Sequence, residues 1–102
     1  HALLAQLIAV LGPNAQLLHA HEREWASITF SGARHHFVLE IPEQAATDPG
    51  FLRALAGLPE YDFALSGEIV ADCTATIGMP MHGGRDASVR LVVIELLTVV
   101  AD

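Results

Sequence analysis

Hydrophobic and polar residues follow two different periods along this chain. Over Ala2–Leu11, the residues Leu4, Leu7, Ile8 and Leu11 recur with the i, i+3, i+4, i+7 spacing of one helical face. Gly12-Pro13 ends that helix, because glycine suits a C-terminal cap and proline cannot continue the ladder. Leu17–Glu22 reads as extended chain or loop. Trp25–Phe30 then alternates with period two, setting Ala26, Ile28 and Phe30 against Trp25, Ser27 and Thr29. His35–Ile41 alternates again, with Phe37, Leu39 and Ile41 on one side and His36, Val38 and Glu40 on the other. Ser31-Gly32-Ala33-Arg34 between them predicts a tight turn with Gly32 at its first central position. That turn pairs Ile28 with Phe37 and Trp25 with Glu40, and it gathers both apolar sets on one face.

The second half has the same grammar. Pro42 ends the strand. Asp48 can cap a helix, Pro49 suits its first turn, and Phe51, Leu52, Leu55 and Ala56 form its apolar stripe. Gly57 and Pro59 close it. In Glu68–Ile77, alternation places Ile69, Ala71, Cys73, Ala75 and Ile77 opposite Val70, Asp72, Thr74 and Thr76. Gly78–Ser88 is a loop rich in Gly, Met and charge. Val89–Val100 is apolar on both sides, as a central strand should be.

This order predicts an α+β fold of two tandem αββ units, residues 1–42 and 43–102, in one domain. Both helices cover one face of a four-stranded, mostly antiparallel sheet. If the second strands of the two units pair at the centre, they run parallel. The result resembles a ferredoxin-like layout whose first strand has moved to the end, and such a layout hosts many functions. Exchange of hairpins between two chains is a competing arrangement. The other sheet face is bare and carries Trp25, Ser27, Thr29, His36, Val38, Glu40, Val70, Asp72, Thr74 and Thr76. Trp25, Val38, Val70 and the last strand therefore predict a self-association surface, making a homodimer the expected assembly.

Charge narrows the partners. The 102 residues include 12 acidic and 5 basic side chains and no lysine, for a formal charge of −7. A phosphate backbone needs a clustered basic face, so nucleic acid is not an expected partner. Anionic membrane surfaces are disfavoured for the same reason. No run approaches the roughly 20 apolar residues of a membrane helix. The single cysteine, Cys73, allows no internal disulfide and reads as a small buried side chain. It fits a reducing compartment, and a cytoplasmic location is the expectation.

Six histidines are the distinctive chemistry. His19 and His21 are spaced to share one face of a strand, a two-ligand spacing for a divalent metal. No other cofactor is suggested. In the predicted register His21 lies about 27 Å from the level of His36, which separates those residues. A parallel central pair would bring both hairpin turns to one end of the sheet. His35 and His36 would then meet His82, Arg85 and Asp86, a candidate site for a small anion or for acid–base work. Met79 and Met81 add soft ligands to that loop. His1 is assigned no role. There is no G-x-S-x-G, no phosphate-cradling loop, no H-E-x-x-H and no cysteine pair. The first reading is a non-catalytic interaction module, and the alternative is a ligand, anion or metal site among the histidines.

Overall fold

The computed structural model describes residues 1–82 and 87–101. Helix α1 spans Ala2–Leu11 and buries Leu3, Leu7 and Leu11. The amide of Gly12 closes it on the carbonyl of Ile8, and Gly12 takes a φ of 97° that L side chains rarely adopt. Strands β1 (Gln16–Ala26) and β2 (Ser31–Pro42) follow as an antiparallel pair. A single-turn helix α2 (Glu43–Ala46) leads to α3 (Pro49–Ala56). As the sequence predicts, Asp48 caps α3, its carboxylate accepting from the Phe51 amide at 3.1 Å. A 3-10 turn at Leu58–Glu60 precedes strands β3 (Glu68–Ile77), β4 (Met81–His82) and β5 (Ser88–Val100).

The fold is α+β, and the described residues form a five-stranded antiparallel sheet in the order β1-β2-β5-β3, with the short β4 paired to the start of β5. Alternation fixes which side of each central strand faces inward. Phe37, Leu39 and Ile41 of β2 and Val92, Ile94 and Leu96 of β5 are buried in one core with the helices. Leu58 and Phe63 complete that core from the segment after α3. Glu43 ties α2 to β5, accepting from Arg90 Nε and an Arg90 terminal nitrogen at 2.8 and 2.9 Å. Among the described residues, no helix is long and apolar enough to cross a membrane.

Three expectations change. The first hairpin turns at Ser27–Phe30 rather than at Gly32-Ala33, and Trp25 pairs with Gly32 instead of Glu40. Ser27 holds this turn: its backbone amide donates to the Phe30 carbonyl at 2.7 Å, and its Oγ accepts from the Phe30 amide at 3.0 Å. Leu17–Glu24 thereby joins β1, while Ile28 and Phe30 are exposed at the tip instead of facing the core.

The central pair β2·β5 is antiparallel, not parallel, so the permuted ferredoxin-like arrangement is not formed. Its cause is the segment Leu58–Gly67. This segment carries the chain back along the covered face, so β3 starts opposite the end of β5, with Glu68 facing Val100. Gln6 of α1 holds it by donating to the Ala64 carbonyl at 2.7 Å and accepting from the Ala64 amide at 2.8 Å. The second unit is therefore inverted relative to the first.

A β-bulge between Val70 and Asp72 reverses the facing of the first residues of β3. Val70, expected on the bare face, packs against the core. Ile69 takes its place outside and is 57% exposed.

Candidate functional site

The two faces of the sheet carry different chemistry, and the register shows how. On the uncovered face, cross-strand neighbours form four rows: Trp25, Gly32, Val99 and Ile69; Arg23, Arg34, Leu97 and Asp72; His21, His36, Glu95 and Thr74; His19, Val38, Val93 and Thr76. The β1–β2 half of this face is basic and aromatic, whereas the β5–β3 half is apolar and acidic. His36 Nδ1 lies 3.3 Å from Glu95 Oε1, an exposed contact. The rings of His19 and His36 meet edge to face at 6.1 Å. The separation of His21 from His36 predicted above is thus reversed, because the longer β1 sets them directly opposite one another.

On the covered face, the row Glu22, His35, Leu96, Cys73 runs under the start of α1. Here His1, Glu22 and His35 converge, with their ligating atoms all within 4.8 Å of one another. His1 Nε2 is 3.5 Å from Glu22 Oε1, and His35 Nδ1 is 3.4 Å from the same oxygen. His35 is only 6% exposed, whereas Glu22 and His1 are open to solvent. The rings of His35 and Phe37 stack at 6.1 Å, and His1 meets both edge-on. A pocket of about 200 Å³ adjoins the group, with Leu65 and Glu68 in its wall.

Thr98, fully buried, sets the tautomer of His35. Its hydroxyl has one proton, and Oγ1 donates to the Ala33 carbonyl at 3.3 Å. It therefore accepts from His35 Nε2, 3.2 Å away. The neutral ring then carries its proton on Nε2 and its lone pair on Nδ1. That Nδ1 is buried and, among the described residues, has no hydrogen-bond partner.

The predicted loop cluster does not assemble around His35, His36 and His82. His35 and His36 project to opposite faces, as strand neighbours must. His82 pairs with Ser88 while His35 pairs with Leu96, eight residues further along β5 and roughly 27 Å away. The antiparallel central pair puts the two hairpin ends at opposite rims. Arg85 and Asp86 lie outside the described residues. His19 and His21 share a face as expected, but it is the face opposite to the His1–Glu22–His35 group. Of the expected interface residues, Trp25 and Val38 lie on the uncovered face and Val70 does not.

Sequence reasoning missed His1, Glu22 and Thr98. No local signal joins them, since only the β1·β2 register and the start of α1 bring residues 1, 22 and 35 together. A cavity of about 590 Å³ between the end of α1 and the start of α3 has one ionisable residue in its described lining, Asp48, already engaged as the α3 cap. Cys73 is buried, and burial together with the neighbouring Asp72 charge pushes its thiol up to about 11, which removes it as a nucleophile at neutral pH.

Compared with known proteins, the chain matches no family model, no curated relative and no solved structure.

Proposed function

We propose that this protein is a self-associating interaction module whose uncovered sheet face closes against a second copy of the chain. One observation carries the reading: under a two-fold rotation each of the four rows sets at least one matched pair against itself, although Arg34 then meets Leu97. A two-fold axis along the strands, between β2 and β5, lays the β1–β2 half of one copy on the β5–β3 half of the other. Arg23 then faces the partner copy's acidic position in the same row, where Asp72 stands. Trp25 faces the position of Ile69, and Val38 that of Val93. Aligned sheets pack about 10 Å apart, within reach of arginine and tryptophan side chains.

Magnitudes favour a dimer over a bare face. Leu91, Val93, Leu97 and Val99 sit on the outer side of β5, outside the helix-covered core. Each apolar side chain closed off from water contributes on the order of 1 kcal/mol or more. Four strands at ~4.8 Å spacing and ten residues at ~3.4 Å rise give a face on the order of 600 Å² in plan. With side-chain relief this approaches the roughly 800 Å² per partner of a standard interface.

Sedimentation equilibrium tests the reading. The chain is expected to be dimeric at micromolar concentration. Arg23→Asp and Asp72→Arg are each expected to weaken the dimer about tenfold, and the double exchange is expected to restore it. A strict monomer at millimolar concentration, or single exchanges without effect, overturns the proposal.

A further inference from the structure

We infer that His1, Glu22 and His35 form a binding site for a divalent first-row transition metal, with zinc as the best fit to the donor set. The inference is independent of self-association, because the cluster lies on the helix-covered side of the sheet. Two imidazoles and one carboxylate are a three-ligand set that leaves a fourth position for solvent. Bonds of roughly 2.0–2.1 Å in a tetrahedron hold ligand atoms roughly 3.3–3.4 Å apart. The two edges through Glu22 Oε1 measure 3.4 and 3.5 Å, and the third lies within 4.8 Å, so the two imidazoles close slightly on the ion as it binds.

The second observation is the buried Nδ1 of His35. Thr98 holds the proton of this ring on Nε2 and aims a lone pair toward a carboxylate oxygen. In that tautomer two electron-rich atoms face each other at 3.4 Å, an arrangement relieved by a cation between them, a proton or a metal ion. This is also the outer-shell pattern of metal-bound histidine, where the second ring nitrogen is engaged by a fixed partner. Imidazole and carboxylate donors suit zinc, and the absence of thiolate at the cluster disfavours soft monovalent copper.

His1 must change its proton to join. Without metal its Nδ1 accepts from the Leu4 amide at 3.3 Å, so Nε2 bears the proton and faces Glu22. On binding, Nε2 takes the metal, the proton moves to Nδ1, and the cap on Leu4 is given up. The protein thus trades a helix cap for a metal bond, and the Leu4 amide reports on the exchange.

The test is a titration of the untagged chain with zinc chloride alone, followed by ¹⁵N-resolved NMR of the imidazoles and backbone. One equivalent is expected to shift the His1 and His35 ring signals and to speed hydrogen exchange at the Leu4 amide. Glu22→Gln, at an exposed position where the fold tolerates change, is expected to weaken zinc binding at least tenfold. His21→Asn on the opposite face is expected to leave it unchanged. Three results overturn the site: no shift at millimolar zinc, which leaves a proton-shared ion pair in its place; shifts confined to His19, His21 and His36; or equal binding by Glu22→Gln. The oligomeric state of each variant, measured in parallel, keeps failure here separate from failure of the dimer.

Discussion

The backbone of Gly32 passes so close to Thr98 that a Cβ on Gly32 would overlap the Thr98 carbonyl oxygen. The glycine is there for close approach of β2 to β5, not for a turn. With Gly32 committed inside the strand, the reversal falls to Ser27–Phe30. The register of the whole first hairpin follows from that placement.

Gly32→Ala is therefore expected to destabilise the protein by about 1–3 kcal/mol, read as a lower urea midpoint. Gly12→Ala provides a contrast. Nothing lies within 4 Å of a Cβ there, so only the positive φ is penalised. A Gly32→Ala protein with unchanged stability would mean that β2 and β5 are not this close.

Gln6 holds the return segment by both ends of one amide, so losing it leaves the Ala64 amide and carbonyl to water. Gln6→Met keeps the side-chain bulk and removes both bonds. About 1–2 kcal/mol of stability should be lost, and the Ala64 amide should exchange faster in deuterium. Gln6→Glu retains the acceptor but not the donor and should fall between the two.

Cys73 should resist thiol reagents in the folded protein at pH 8 and react once the chain is unfolded. Burial, aided by Asp72, raises its folded value from 9.0 to about 11. The sign for stability follows. The folded state holds this proton more tightly than the unfolded state, so the contribution is complete below pH 9 and is lost as pH rises through about 11. Urea melts between pH 8 and 11 should show a decline that Cys73→Ala removes. Rapid labelling of the folded protein at pH 8 would contradict the burial.

Element identities were legible because they depend on neighbours in the chain. The 3.6-residue period of α1, the Asp48-Pro49 start of α3 and the alternation in Phe37, Leu39 and Ile41 are local facts. The bulge at Ala71 was not legible, since one extra residue leaves no mark on composition while exchanging Val70 with Ile69. Nor did any pattern mark Leu58–Gly67 as a returning segment, because its two core residues, Leu58 and Phe63, are too far apart to show a period.

Taken alone, the sequence determined that there are two longer helices, that β5 is central, and which side of β2 faces the core. Covalent geometry sends successive strand side chains to opposite faces wherever the strand pairs. Register, strand direction and the meeting of His1 with Glu22 and His35 were decided only by the tertiary structure. Moving the partner of Trp25 from Glu40 to Gly32 slides the hairpin by eight residues. An even slide keeps every side chain on its face, so alternation is blind to it. The contacts that choose among such registers, Gly32 against Thr98 and Gln6 against Ala64, join residues more than fifty positions apart.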